Sequence, residues 1–177
     1  MDHADHVALL KKGVPADSVR WADMGAGSGA FSLALAELLD KNGELYAVDR
    51  DSSALRRLER EARARAPHTV LHPLVGDFME PLDLPPLDGL VMANSLHYYQ
   101  DKVTVIERMK DYLAPGGRFI LIEYDTDQGN RWVPHPISFK KWATVAQEAG
   151  LSRPELLETR PSRFLGAFYS ALSFSLP

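Results

Sequence analysis

The stretch Trp21–Leu39, "WADMGAGSGAFSLALAELL", sets glycines at three alternate positions, Gly25, Gly27 and Gly29, directly behind an acid at Asp23. The residues before it, "SVRWADMG" (18–25), read as a strand. Beyond the glycines, Phe31, Leu35, Leu38 and Leu39 recur at helical spacing, and "KNG" (41–43) closes the helix. Glycine-rich turns between a strand and a helix hold nucleotides. "GAGSGA" (25–30) formally satisfies G-x-G-x-x-A, so the loop alone admits more than one ligand, or no more than a tight turn. Its surroundings have to decide.

Outward from the loop, short β-rich runs alternate with amphipathic helical stretches. "ELYAVD" (44–49) is a second strand. Asp51 and Ser52 are candidate caps for a helix that Pro67 stops. "HTVLHPLVGD" (68–77) is a third strand, where Pro73 suggests an edge position or a bulge. "LDGLVMANS" (87–95) is almost wholly apolar, as a buried parallel strand should be. A helix is expected over 101–113, and "APGG" (114–117) turns the chain sharply into a fifth strand, "RFILIEYD" (118–125). After a polar, proline-bearing loop, a helix over 138–149 ends at Gly150. Two last strands, near 154–160 and 163–174, have no helix between them and should pair antiparallel. The pattern predicts a doubly wound α/β sheet with an antiparallel strand. It reads as one domain over 1–177: a helical segment to residue 18, a ligand-binding half over 19–125 and a substrate side over 126–177.

The bulk numbers agree with a globular chain of 177 residues, 45% hydrophobic and 25% charged. No apolar run has the length of a membrane span, and the start, "MDHADHVALLKK", carries acids where an export signal carries bases. The cytoplasm is the expected compartment. With no cysteine, disulfides, thiolate metal sites and a cysteine nucleophile are excluded. A net charge of −4 gives no general attraction to nucleic acid or anionic membranes. His3 and His6 have H-x-x-H spacing but no third ligand, so no metal is expected. The arginines of "SALRRLEREARARA" (53–66) read as a solvated face, since Glu59/Arg63 and Glu61/Arg65 stand four apart.

Asp49 suits any adenosine ligand, while two further acids, Asp23 and Asp77, separate the nucleotide candidates. Asp49 ends the second strand, twenty residues after Gly29, where a carboxylate can accept from both ribose hydroxyls of an adenosine. Asp23 is awkward beside a pyrophosphate and suits a ligand with an ammonium and a sulfonium group. Asp77, ending the third strand, offers an acid to the adenine amine, with Phe78 able to pack on the ring.

With these pieces the sequence resembles the class I S-adenosylmethionine-dependent methyltransferases. The matching motifs are "ADMGAGSG", "YAVDRD", "VGDF", "LDGLVMANSLHYY" and "LAPGGRFILIEY", in the expected order over about Val19 to Asp125. The resemblance implies a Rossmann-like sheet of seven strands, mostly parallel with the last antiparallel, and S-adenosyl-L-methionine as cofactor, leaving as S-adenosyl-L-homocysteine. It implies that Gly25, Ala26, Gly27 and Gly29 line the methionine moiety and that Asp49, with Arg50 beside it, holds the ribose. Asp77 and Phe78 would hold adenine, while Asn94, Ser95 and Leu96 pass beside the cofactor.

Methyl transfer from a sulfonium needs alignment and, where the nucleophile carries a proton, a base. Cytosine C5 and arsenite methylation rely on thiols that this chain lacks. The fourth strand exits through "ANSLHYY", where amine methylases of nucleic acid and protein amides carry N-P-P-Y or D-P-P-Y. Nucleic acid is therefore not the expected substrate. Open α/β sheets bind ligands at the carboxyl ends of their strands. There His97 is the candidate base, or a helix-entry residue bonded to backbone. Glu123 and Tyr124 end the fifth strand, and Glu123 reads equally as a structural acceptor. In "NRWVPHPISF" (130–139), Trp132, His135 and Phe139 look like a rigid lip over the substrate, or else a hydrophobic staple for the next helix. The expected catalytic set is His97, Glu123 and His135; the expected substrate contacts are Tyr98, Tyr124, Trp132 and Phe139. The expected substrate is a small, partly aromatic or apolar molecule. Any lid comes from the N-terminal helix, from residues 126–137 or from the second subunit of a homodimer. Two rivals stay open: an NAD-dependent oxidoreductase, and a non-catalytic partner subunit that only binds S-adenosylmethionine.

Overall fold

In the computed structural model, which describes residues 1–176, strands and helices alternate from the first strand, except that the third and fourth strands, and the sixth and seventh, follow one another without a helix. The order is α1 (His3–Lys11), β1 (Arg20–Met24), α2 (Ala30–Leu38), β2 (Glu44–Asp49), α3 (Ser52–Arg65), β3 (Val70–Val75) and β4 (Leu87–Ala93). A 3-10 turn over Leu96–Tyr98 leads into α4 (Lys102–Lys110), β5 (Leu113–Tyr124), α5 (Phe139–Glu148), β6 (Glu155–Ser162) and β7 (Gly166–Phe174). The seven strands form one sheet in the order β3-β2-β1-β4-β5-β7-β6. β1 to β5 are parallel, and β7 lies antiparallel to both β5 and β6. β3 is an edge strand, where Pro73, with no N–H to donate, disturbs the ladder least.

Alternation along the strands divides the core between two faces. On one face Leu90 and Met92 of β4 and Phe119 and Leu121 of β5 pack with Ile106 of α4 and Trp142 of α5. On the other, Val91 and Ala93 with Ile120 and Ile122 meet Leu9 and Leu10 of α1 and Leu35 of α2. α3 covers Ala47 through Leu55 and Leu58. All of these except Ala93 are 5% exposed or less, so each large aliphatic contributes roughly 1.5–3 kcal/mol of burial. The helix starts are built by acids: Asp51 accepts from the Ser53 and Ala54 N–H groups, and Asp101 from that of Thr104.

Two boundaries differ from the sequence expectation. β5 begins at Leu113, so "APGG" lies within the strand. Leu113 already pairs with Leu87, and the register then jumps to Gly89 opposite Arg118. The glycine turn is thus a bulge absorbed into the ladder. The fourth helix is shorter than expected, Lys102–Lys110, with Asp101 as its cap. No helix among the described residues is long and apolar enough to cross a membrane.

Candidate active site

β1 stands between β2 and β4, so chain connections leave it in opposite directions and open a crevice at the strands' carboxyl ends. A cavity of about 500 Å³ occupies this point. Its floor is the glycine loop. Gly25, Gly27 and Gly29 have φ of 88°, 52° and 87°, the left-handed region that glycine adopts without strain. A Cβ on Gly25 would stand 2.6 Å from that of Ser95, whereas nothing lies within 4 Å of one built on Gly27. Gly25 is required by packing; at Gly27 the open space belongs to the cavity. The Gly25 and Ala26 N–H groups both donate to the Val48 carbonyl at 2.9 Å, tying the loop to β2.

Asp49 ends β2 with its carboxylate braced. Oδ2 accepts from the Gly27 N–H at 2.7 Å and Oδ1 from that of Asp51 at 2.8 Å, which leaves further lone pairs toward the cavity. Asp23 lies deeper, 1% exposed. Ser32 Oγ donates to its Oδ2 at 2.6 Å, while Oδ1 is buried with no partner among the described residues. Burial pushes its pKa up to about 6; the Ser32 hydrogen bond opposes that rise and the nearby Asp49 charge adds to it. Asn94, at the exit of β4, holds φ 55°, and its Oδ1 is likewise buried and unpartnered. Ser95 is fixed by its hydroxyl, which donates to the Met24 carbonyl at 2.7 Å. Two buried acceptor oxygens, on residues that line the cavity, thus lack donors. Buried acceptors are rarely left so, and a ligand carrying N–H donors and positive charge supplies what they lack.

Arg50 and Asp77 form an ion pair at the mouth, and Asp77 Oδ1 also accepts from the Met79 N–H. The carboxylate assigned to adenine therefore already has a guanidinium on it. Phe78 lines the cavity, with the half-buried Tyr99 ring tilted against it at 5.4 Å. Three of the expected cofactor residues are not part of the cavity lining: Gly29 caps α2, Asp77 pairs with Arg50 at the mouth, and Leu96 is sealed in the core.

His97 is 3% exposed, and its Nδ1 lies 2.9–3.0 Å from both oxygens of the fully buried Glu123. Glu123 Oε1 also accepts from the Tyr124 N–H at 3.0 Å. An imidazole that donates from Nδ1 to a carboxylate keeps Nε2 as its acceptor when neutral. Parallel pairing of Ala93 with Ile122 brings the two residues together across 26 positions. His135 is elsewhere. Its side chain is exposed, and its backbone serves instead: the N–H donates to the His97 carbonyl at 3.0 Å, and the carbonyl accepts from Lys102 Nζ at 2.7 Å.

The 126–137 loop divides its apolar side chains between core and solvent. Val133 and Ile137 are buried as a staple ahead of α5, while Trp132 is 66% exposed. Phe139 turns its ring edge to Tyr169 at 5.6 Å, at the margin of the core and off the cavity. Tyr98 lines the cavity; Tyr124 packs against Phe168 at 4.2 Å. Tyr99, which follows the fourth strand with Tyr98, also lines the cavity, as do Met1 and His6 of the N-terminal segment, to which the sequence assigns no ligand contact. His6 stands three residues from His3, one helical turn, but the two rings part: His3 pairs with Glu37 at 2.8 Å and His6 packs on Phe31.

A sequence model of the methyltransferase domain family matches residues 22–119, more than half of the chain and the part that carries the glycine loop, Asp49 and the β4 exit. The release factor glutamine methyltransferase of Moorella thermoacetica is 38% identical over 84 residues, 48% of this chain and 29% of that protein. The chain thus spans about three-tenths of the length of this curated relative. Among solved structures, the YcgJ protein from Bacillus subtilis superposes with a TM-score of 0.77 at 13% identity, over 99% of this chain and all of that one. The 1,6-didemethyltoxoflavin-N1-methyltransferase of Burkholderia thailandensis, solved with 1,6-didemethyltoxoflavin and S-adenosylhomocysteine, gives 0.76 at 16% identity, over 99% of this chain and 78% of that one. At those identities the likeness is one of fold, and the seven-stranded order agrees with it. The chain belongs to the methyltransferase domain family.

Proposed function

We propose that the protein transfers a methyl group to a small, partly aromatic or apolar molecule, with the glycine-loop cavity holding the donor. The observation that carries the donor site is the pair of unpartnered buried oxygens, Asp23 Oδ1 and Asn94 Oδ1, on the cavity wall. Bound S-adenosylmethionine supplies an electrophilic methyl carbon. Asp23 and Asn94 would accept from its ammonium end, Asp49 would accept from the ribose hydroxyls, and Phe78 would pack on the adenine. A dinucleotide would instead bring a pyrophosphate toward a buried carboxylate, which is unfavourable.

His97 takes the proton of the nucleophile at Nε2, and Glu123 is a positioning residue that fixes the tautomer and then steadies the imidazolium. A hydroxyl or amine acceptor fits this arrangement. The Moorella relative is named for glutamine methylation, but here the β4 exit is Asn94-Ser95-Leu96-His97, without paired prolines. That difference supports a small molecule over a protein amide.

Incubation with methyl-labelled cofactor and pools of small hydroxylated or aminated aromatics tests the reading. Label is expected in a small product, and His97→Ala should reduce its formation roughly 10²–10⁴-fold while leaving S-adenosylhomocysteine binding intact. Cofactor binding with no transfer to any acceptor, and no effect of His97→Ala when a partner protein is supplied, would favour a non-catalytic subunit.

A further inference from the structure

We infer that a second cavity beside the first is the acceptor's seat, and that it takes a flat, uncharged aromatic molecule bearing a hydroxyl or amino group. This rests on the methyltransferase reading and deepens it. The cavity measures about 670 Å³ and lies between the start of α1, the end of β5 and the β6–β7 hairpin. Three aromatic rings, Tyr124, Phe164 and Phe168, share its wall with Asp2, Asp5, Ser162 and Arg163. Tyr124 and Phe168 lie 4.2 Å apart, Phe164 stands 6.1 Å from Tyr124, and Trp132, outside the lining, stands 6.1 Å from Phe164. Phe164, at the hairpin tip, is 50% exposed and Trp132 is 66% exposed. Two large rings from separate segments, converging in solvent beside a third, form a stacking surface whose exposure a planar ligand would relieve.

The two cavities are neighbours, since Met1 and His6 line both. His97, 3% exposed and part of neither lining, has its ring 4.4 Å from Tyr98 of the first and 6.3 Å from Tyr124 of the second. An acceptor stacked on Tyr124 is therefore one side chain away from His97. The charges of the second cavity oppose one another. Asp2 and Asp5 cap α1, with Asp5 also paired to Arg160 at 3.2 Å, and Arg163 faces them from the hairpin. Groups of both signs on facing walls favour an uncharged ligand over a strong anion or cation.

The probe is 2-naphthol, compared with its saturated counterpart decahydro-2-naphthol, titrated into the protein with S-adenosylhomocysteine present. Trp132 is the exposed tryptophan, Trp21 and Trp142 being fully buried, so its emission reports the site. Saturable binding of naphthol is expected, at least tenfold tighter than that of the saturated alcohol. Phe164→Ala should weaken naphthol at least tenfold and leave S-adenosylhomocysteine affinity within twofold. Phe164 is half exposed in a turn and lies off the first cavity, so the fold tolerates the change. Equal binding of the two alcohols, no naphthol binding, or indifference to Phe164→Ala would overturn the proposal. So would a dimer that dissociates on that substitution, which would give the patch to a second copy of the chain. Naphthol binding at Phe164 in a protein that ignores S-adenosylhomocysteine would sustain the aromatic seat and end the methyltransferase reading.

Discussion

Asp23 concentrates the energetics of the site in one side chain. Its pKa is raised from 3.8 to about 6, so the folded state holds this proton more tightly than the unfolded chain does. The stabilising effect of that proton is fully present below 3.8 and is lost as pH rises through about 6. At about 1.4 kcal/mol per unit, the charged carboxylate costs the ligand-free protein up to about 3 kcal/mol above that range. Asp23→Asn should therefore melt higher than the wild type at pH 8 and bind S-adenosylhomocysteine at least tenfold more weakly; thermal unfolding and calorimetry check the two halves. An unchanged affinity would remove Asp23 from the cofactor site. For His97, the partner is the test. Glu123→Gln keeps the volume but removes the charge that steadies the imidazolium, so kcat should fall about 10²-fold with a changed pH profile and unaltered cofactor affinity. Sequence alone brings out Asp23 and Asp49, because the glycines fix their distance along the chain from the loop. It also names His97 and Glu123 singly as strand-end residues. Their contact depends on the β4–β5 register, which neither segment encodes by itself.

At the scale of elements, α1 is more than a preface to the sheet. Leu9 and Leu10 are fully buried against the α2 face, and the same helix carries His6 into the walls of both cavities. Leu10→Ala should cost about 2–5 kcal/mol in urea unfolding and weaken S-adenosylhomocysteine along with it. A stability loss with untouched cofactor affinity would show that α1 braces the fold without shaping the site. The helix itself is visible in the sequence, but its docking is not, since a nine-residue helix gives no sign of which surface receives it. The 126–137 loop shows the same limit. Its aromatics and prolines announce an ordered segment, yet Trp132 turns outward while Val133 and Ile137 turn in. The hairpin hides its part in another way. Phe164 reads as one more residue of a strand pair, and only the fold-back over the end of β5 places it beside Tyr124.

Across the whole molecule, the alternation of strands and helices and the helix-free last pair made a doubly wound sheet with an antiparallel strand readable; the count of seven came from the family resemblance, and the strand order only from the fold. The bulge that absorbs "APGG" was not readable, since glycines that turn a chain and glycines that kink a ladder look alike. The central claim is that this sheet seats S-adenosylmethionine at the β1–β4 crevice through an ionised Asp23. Calorimetry at pH 5 and pH 8, with S-adenosylhomocysteine and with NADH, tests it most directly. The account predicts that S-adenosylhomocysteine binds at both values, several-fold more tightly at pH 8, that Asp23→Asn abolishes the pH difference, and that NADH gives no heat of binding. Saturable NADH binding with no response to S-adenosylhomocysteine would contradict it.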